Sequence, residues 1–190
     1  MATKGKLMTR QALLAHCEEE MKLIRPIFKK DDVVVEFGCG LGGNMIAASG
    51  HVQEVIGIDI NPFYIWHARR LSRRYPNCRF KSFEGKKLPF ADASVDAVYS
   101  WAVFERIPKP AVEAYLREFN RILKPQGRSA IYLLRPEAKE TGFTRLLGEG
   151  AYIYFEREEV EALMANCGFT IEQFIGWPAA HVCLAEKSVA

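Results

Sequence analysis

A glycine-rich turn is the first feature of the sequence that could do chemistry. The stretch Gly38-Cys39-Gly40-Leu41-Gly42-Gly43 follows a short apolar run and fits the spacing GxGxxG. Glycines let the backbone turn sharply and approach a ligand closely. Nicotinamide, flavin and methionine-derived cofactors all use such turns, so the pattern predicts a cofactor site without choosing the cofactor.

An aspartate stands where a ribose would be bound. Asp59 ends the next apolar run, roughly twenty residues after the turn, where a carboxylate can accept hydrogen bonds from ribose hydroxyls. A structural role is also open, because Asn61-Pro62 is typical of a helix start and Asp59 could cap that helix. The ribose role is favoured, and it fits a dinucleotide as well as S-adenosylmethionine.

A second carboxylate narrows the choice of cofactor. Glu36 lies two residues before Gly38, at the mouth of the first strand. A pyrophosphate at the following helix would be repelled by this charge, whereas a ligand with an ammonium and a sulfonium would be attracted. If Glu36 faces the ligand, its charge favours S-adenosylmethionine.

The elements that must position these residues alternate along the chain. Apolar runs predict strands at 33–37, 54–59, 78–83, 94–100, 128–134, 169–176 and 180–186. Helical spacing predicts helices at 9–25, 110–124 and 156–167, with two more that begin at Asn44 and Pro62. This alternation indicates a mostly parallel sheet covered on both faces. The turn between the last two strands is too short for a crossover helix, so these strands are predicted to pair antiparallel.

Composition limits the class of protein. A chain of 190 residues suits one domain, and its net charge of +3 argues against a dedicated nucleic-acid binder. The basic run from Arg69 to Lys87 is interpreted as a solvated face. Five widely spaced cysteines without a CxxC pair predict reduced thiols, no metal site and a cytoplasmic location. Neither a signal peptide nor an apolar run of ~18 residues is found, so no membrane association is predicted.

Several stretches together resemble one family. VVVEFGCGLGGN, VIGIDIN, FEGKKLPFADASVDAVYS, EFNRILKPQGRSAIYLL and EEVEALMANCGFTIEQF resemble, in order and spacing, the class I S-adenosylmethionine-dependent methyltransferases of the type 11-like kind. The resemblance implies a three-layer, Rossmann-like α/β sandwich. Its seven-stranded, mostly parallel sheet would have the order 3-2-1-4-5-7-6 with strand seven antiparallel. It implies a single methyltransferase domain over 1–190, with an N-terminal helical lid segment at 1–28 and a core at 30–187.

The resemblance also implies which residues hold the cofactor. The methionine end would lie in the glycine turn beside Glu36, the ribose on Asp59, and the adenine against residues that follow strands two and three. The implied set is Glu36, Gly38, Cys39, Gly40, Asp59, Ile60, Phe83, Glu84 and Ser100. S-adenosyl-L-homocysteine would be the product.

Three positions depart from the family pattern. Glu84 replaces the commoner Asp, and a solvated loop carboxylate is nearly as good an interpretation of it as an adenine ligand. Gln126 replaces a usual glycine. Arg106 stands where a histidine is frequent, so chemistry that depends on a histidine at that place is not expected.

Methyl transfer needs alignment more than acid–base machinery, because the cofactor carries the reactivity. If the acceptor must lose a proton, Glu105 or His16 is our hypothesis for the base. Arg106 and Arg135 follow predicted strands and suggest an anionic small-molecule acceptor. The other residues expected to contact the acceptor are Trp101 and Tyr152.

Other classes of protein remain open at this point. The chain could be a catalytically silent, methyltransferase-like binding protein or subunit, or an RNA or protein methyltransferase. An oxidoreductase is disfavoured by Glu36 and by the antiparallel last strand. No NPPY-like or DPPY-like stretch is present, so adenine-amine methylation of nucleic acid is not expected. A monomer or a homodimer is expected.

Overall fold

Strands and helices alternate along the chain as the sequence predicts. The structure, a computed structural model, describes residues 9–85, 87–139, 152–177 and 179–188. The helices are α1 (Arg10–Ile24), α2 (Gly43–Ser49), α3 (Pro62–Leu71), α4 (Lys109–Ile122) and α5 (Arg157–Asn166). The strands are β1 (Val33–Phe37), β2 (Glu54–Asp59), β3 (Cys78–Ser82), β4 (Val95–Ser100), β5 (Leu123–Leu134), β6 (Phe169–Trp177) and β7 (Ala180–Lys187). Short 3-10 turns occupy Arg25–Ile27, Phe104–Arg106 and Pro136–Lys139.

The strands form one sheet in the order β3-β2-β1-β4-β5-β7-β6. Neighbours from β3 to β5 pair parallel. β7 pairs antiparallel with both β5 and β6. The connection between β6 and β7 is too short to hold a crossover helix, which requires these two strands to be antiparallel. The predicted fold class, sheet order and antiparallel strand seven are therefore confirmed.

Both faces of the sheet are buried at its centre, which explains the unbroken apolar run of β1. Val34 and Val35 have no exposed surface and contribute to two different cores. One core lies under α1, α2 and α3, and the other lies under α4 and α5. Three layers result, and the carboxyl ends of β1, β2 and β4 meet at one edge of the sheet, where ligands bind in folds of this kind.

The passage from α4 into β5 differs from the prediction. The helix ends at Ile122 rather than at 124, and the strand begins at Leu123 instead of Arg128. Leu123 pairs with Val95 and Arg128 pairs with Ala97, so extra residues of β5 bulge out between these pairs. Gln126 has a φ of 61° within this bulge. Apolar periodicity alone cannot reveal a bulge, because the bulge depends on pairing with β4.

The segment proposed as an N-terminal lid is described from residue 9 onward. α1 begins after Thr9, whose side chain accepts a 3.2 Å hydrogen bond from the amide of Ala12. Cys17, Met21 and Ile24 of α1 are buried in the first core. Within the described ranges, no helix is both long and apolar enough to span a bilayer.

Candidate functional site

The glycine turn leaves β1 in a conformation that ordinary residues avoid. Gly38, Gly40 and Gly42 have φ angles of 75°, 49° and 79°. The amides of Gly38 and Cys39 donate hydrogen bonds of 2.8 and 3.1 Å to the carbonyl of Ile58 in β2. The turn is therefore held against the neighbouring strand, and its left-handed residues need glycine.

Two glycines of the turn face different surroundings. A Cβ on Gly38 would collide with the side chain of Val103. A Cβ on Gly40 would meet no atom within 4 Å. The backbone of Gly40 thus borders open space at the carboxyl edge of the sheet, as a ligand-binding turn requires.

Asp59 is buried, and its carboxylate binds two backbone amides. Its Oδ2 accepts a 3.0 Å hydrogen bond from Gly40, and its Oδ1 accepts a 2.8 Å bond from Asn61. The Asn61 side chain in turn caps α3 by accepting from the amide of Phe63 at 3.0 Å. Asp59 therefore orders both the glycine turn and the start of α3, whichever ligand it binds.

Glu36 is a buried carboxylate at the base of the turn. Its side chain is 2% exposed, and its Oε2 has no hydrogen-bond partner among the described residues. Burial raises the pKa of Glu36 well above its usual value; the carboxylates of Glu20 and Asp59 add to the shift, while Tyr99 and Asn44 oppose it. Such a group is costly to keep ionised unless a cation binds beside it.

A cavity of about 310 Å³ opens beside Glu36, between α1, the glycine turn and the end of β4. It brings together five of the residues predicted from the sequence, namely His16, Glu36, Gly38, Cys39 and Trp101. Glu20 and Asn44, which were not predicted as site residues from the sequence, also line the cavity. The sequence pattern that indicates Glu20 is its four-residue spacing from His16, because residues four apart lie on the same face of a helix.

His16 and Glu20 are paired at this cavity. The Nε2 of His16 lies 3.2 Å from Oε1 of Glu20, and the His16 side chain is 56% exposed. Burial raises the pKa of Glu20, and the side chains of Trp101, His16 and Asn44 oppose that shift. The pair therefore connects the interior of the cavity with solvent.

The residues expected around the adenine are spread over different environments. Ile60 is 65% exposed, as a residue awaiting a ligand would be, and Glu84 is exposed as well. Phe83 is buried against Phe37, with ring centroids 5.9 Å apart. Ser100 is buried, and its hydroxyl donates to the carbonyl of Phe37 at 3.2 Å.

Glu105 is buried in the 3-10 turn after β4. Its side chain is 1% exposed, and its Oε2 has no hydrogen-bond partner within the described part of the chain. Burial raises the pKa of Glu105 to about 7, opposed by its own backbone amide and by Arg106. Glu105 does not line the cavity that contains His16.

The two arginines expected to bind the acceptor also lie outside that cavity. Arg106 donates a 3.2 Å hydrogen bond to the Tyr152 hydroxyl and lies over the Tyr152 ring, 5.0 Å from its centroid. Arg135 lies 4.0 Å from Glu137, and its backbone amide donates to the carbonyl of Ala179. Each arginine follows the strand predicted to carry it.

The described part of the chain contains no candidate metal site. No group of three or more His, Cys, Asp or Glu side chains there could hold a metal ion. The five cysteines are free thiols.

Comparison with known proteins gives a family. The family described as a methyltransferase domain matches residues 34–127, about half of the chain. The chain is 26% identical over 156 residues to sterol 24-C-methyltransferase ERG6 of Saccharomyces cerevisiae. The matched region covers 75% of this chain and 40% of that protein. It is 31% identical over 127 residues to 24-methylenesterol C-methyltransferase 2 of Oryza sativa subsp. japonica. That match covers 65% of this chain and 34% of the relative. The chain thus spans less than half the length of these curated relatives.

Solved structures share the whole architecture. The PH0226 protein of Pyrococcus horikoshii superposes with a TM-score of 0.78 at 21% identity, covering 96% of this chain and 94% of that one. An S-adenosylmethionine-dependent methyltransferase of Methanosarcina mazei superposes with a TM-score of 0.74 at 24% identity. The superposition covers 88% of this chain and 98% of that one. At these identities the likeness demonstrates the fold.

The sheet order and the glycine turn at its carboxyl edge define a Rossmann-like α/β protein that binds a cofactor. With the family match added, the chain belongs to the class I, Rossmann-like S-adenosylmethionine-dependent methyltransferases. Its cofactor is S-adenosylmethionine. The residues fit this cofactor, because the buried Oε2 of Glu36 lacks a partner in the described chain and the turn is open at Gly40.

Proposed function

We propose that the chain transfers the methyl group of S-adenosylmethionine to a small-molecule acceptor. The observation that carries the proposal is the buried carboxylate of Glu36, whose Oε2 has no hydrogen-bond partner in the described chain, at the foot of a turn open at Gly40. An ammonium or sulfonium bound there would compensate this charge, whereas a pyrophosphate would be repelled. The charge therefore supports the methionine cofactor over a nicotinamide or a flavin.

The chain's own residues divide the task of holding the cofactor. Glu36 would bind the ammonium, and the backbone of Gly38, Cys39 and Gly40 would follow the methionine chain. Asp59 has further lone pairs for ribose hydroxyls beyond the two amides that it accepts. Residues at the adenine end would be Ile60, Phe83 and Glu84. Ser100, whose hydroxyl donates to the carbonyl of Phe37, would lie near the cofactor where β4 ends.

Bound S-adenosylmethionine supplies a methyl group that its positive sulfur has already activated. The protein must orient the acceptor and exclude water. Trp101 is 7% exposed, and its ring packs at a tilt of 47° against Tyr132 with the centroids 4.8 Å apart, so it would form a rigid apolar wall for this purpose. α1 covers the same cavity from the other side through His16 and Glu20.

If the acceptor must lose a proton, the two candidates that the sequence offers for the base are His16 and Glu105. His16 is favoured by position, since it lines the cavity and is open to solvent. Glu105 is favoured by its pKa, which burial raises to about 7. A base with a pKa near the working pH is the most effective.

A small acceptor is supported by the relatives that are named as sterol methyltransferases. Arg106, Arg135 and Tyr152 support an acidic group on that acceptor, because arginine binds carboxylates through charge-assisted hydrogen bonds. The chain is proposed to act as a monomer or homodimer. A cytoplasmic location rests on the reduced cysteines and stays a prediction.

Two other functions lead to different measurements. A silent binding protein or subunit would bind the cofactor and turn over no acceptor. An RNA methyltransferase would bind its substrate with an affinity that falls steeply as salt increases. Exposed Phe63 and Trp66 on α3, with Arg70 4.9 Å from the Trp66 ring, are the observation that keeps the RNA alternative open.

The test is calorimetric titration with S-adenosylmethionine, S-adenosylhomocysteine and NAD. We expect both methionine cofactors to bind and NAD not to bind. Glu36→Gln should weaken S-adenosylmethionine binding at least about tenfold, the value of a charge-assisted hydrogen bond. Glu54→Gln, which alters a carboxylate paired with Arg79 at 3.2 Å, is the matched control and should bind normally. Binding of NAD alone would overturn the proposal.

A further inference from the structure

The cavity beside the glycine turn contains one more carboxyl group than the net charge of a single cofactor would neutralise. Glu36 and Glu20 both line it, and no lysine or arginine of the described residues does so. Each carboxylate is mostly buried: Glu36 is 2% exposed, and the Glu20 side chain is 15% exposed. Glu20 also contributes to the raised pKa of Glu36, so the two charges repel each other.

The cofactor accounts for one of these two charges. S-adenosylmethionine carries an ammonium, a sulfonium and a carboxylate, so its net charge offsets a single glutamate. Glu36 is the deeper of the two, and its Oε2 has no hydrogen-bond partner in the described chain. After Glu36 is matched with the cofactor's ammonium, Glu20 faces only the solvent-exposed His16 and no lysine or arginine among the cavity's described residues, so its carboxylate is available to a second cation.

The surroundings of Glu20 suit an organic cation. The indole of Trp101 lines the same cavity, and aromatic faces attract ammonium groups. Asn44 also lines it, and its Oδ1 has no partner among the described residues, so a further acceptor is available. His16, 3.2 Å from Glu20 and 56% exposed, stands between this carboxylate and solvent.

We propose that the acceptor is an amine, which Glu20 and Trp101 bind as its ammonium and which Glu20 deprotonates. The proposal rests on the proposed function and names the acceptor class at that site. The ammonium gives one proton to the Glu20 carboxylate. The freed nitrogen lone pair then forms the new nitrogen–carbon bond, while the carbon–sulfur bond breaks and its electron pair stays on sulfur. The proton leaves Glu20 for solvent by way of His16.

The acidic group proposed for the acceptor is compatible with this assignment. Arg106 and Arg135 lie outside the cavity, so they would meet a part of the acceptor remote from the amine. An acceptor with an amine and an acidic group would satisfy both.

The test is a binding comparison that needs no turnover. The protein is saturated with S-adenosylhomocysteine and titrated, by calorimetry, with choline and with its neutral isostere 3,3-dimethylbutan-1-ol. We expect choline to bind at least about tenfold more tightly than the neutral isostere, because only choline is attracted to the carboxylate and the indole. Glu20→Gln should abolish this preference. Glu19→Gln, which changes an exposed carboxylate of the same helix paired with Lys22, should retain it.

The outcomes separate this inference from the proposed function. S-adenosylhomocysteine binding without any preference for choline would overturn the amine assignment and leave methyl transfer standing. A preference that survives Glu20→Gln would overturn the role of Glu20. Normal S-adenosylhomocysteine binding by Glu20→Gln checks that this variant is folded. Failure of the wild-type protein to bind S-adenosylhomocysteine would overturn both the proposed function and the amine assignment.

Discussion

The amide of Gly40 donates a 3.0 Å hydrogen bond to Oδ2 of Asp59, and this bond fastens the glycine turn after β1 to the end of β2. The other carboxylate oxygen accepts from Asn61 at 2.8 Å, where α3 begins. One buried side chain thus fixes two loops at the carboxyl edge of the sheet. Stability and cofactor binding are therefore coupled at Asp59, and its variants must be measured for both.

Asp59→Ala should lower the free energy of unfolding by about 2–4 kcal/mol, because two part-buried amides lose a charged acceptor. Asp59→Asn keeps one acceptor and should lose about half as much. Urea unfolding measures the stability, and calorimetry measures S-adenosylmethionine binding. Normal cofactor affinity in folded Asp59→Asn would limit Asp59 to its structural role and contradict ribose binding.

Gly38→Ala and Gly40→Ala should fail in different ways. Both place a side chain in the left-handed region, which costs about 1–2 kcal/mol. At Gly38 the new Cβ also collides with Val103, so this variant should be the less stable of the two in urea. At Gly40 the Cβ enters empty space, so this variant should fold and lose affinity for S-adenosylmethionine. Equal cofactor binding by wild type and Gly40→Ala would show that the ligand does not approach Gly40.

Glu36→Gln should stabilise the protein in the absence of ligand while it weakens cofactor binding. Burial raises the pKa of Glu36, so the ionised form is disfavoured in the folded state. The destabilisation is absent below the pKa of the unfolded chain and grows as the pH rises above it. In urea, Glu36→Gln should have a higher free energy of unfolding than the wild type at neutral pH and no higher value at acidic pH. A variant that is less stable than wild type at neutral pH would indicate that the Glu36 carboxylate is satisfied internally.

Glu105 should make stability fall as the pH rises from about 4.5 to about 7, because burial raises its pKa to about 7. The folded state holds its proton more tightly than the unfolded state, so the unfolding free energy decreases over this window. The rise in the pKa of Glu105 from 4.5 to about 7 corresponds to about 3 kcal/mol of unfolding free energy. Glu105→Gln should remove that decrease, as followed by urea unfolding at pH 4, 6 and 8. Identical pH profiles for both proteins would contradict the raised pKa.

A role of Glu105 as the base has its own signature. Activity of the wild type would then rise with pH through about 7. Glu105→Gln would lose turnover with little change in cofactor affinity, and His16→Ala would not. The opposite pattern, with turnover lost in His16→Ala alone, would assign the base to His16.

Much of the fold could be predicted because local patterns agree with it. β1 and β2 occur at the predicted residues, and Asn61 caps α3 as expected. The turn after Trp177 forces antiparallel pairing by its length alone. The start of β5 could not be predicted, because the bulge at Gln126 depends on pairing with β4.

The sequence by itself determined the order of the elements, because periodicity and glycine positions are local properties. The resemblance of its motifs to a known family implied the sheet order and the cofactor, and the sign of the Glu36 charge favoured the same cofactor. Only the tertiary structure decided that Glu20 and Asn44 join Glu36 in one cavity, since α1 must pack beside the glycine turn to bring them there. It also decided that Asp59 supports two backbone amides and that Glu105 is buried away from the cavity. Distance and burial arise from packing between segments far apart in the chain, and residue types alone do not specify them.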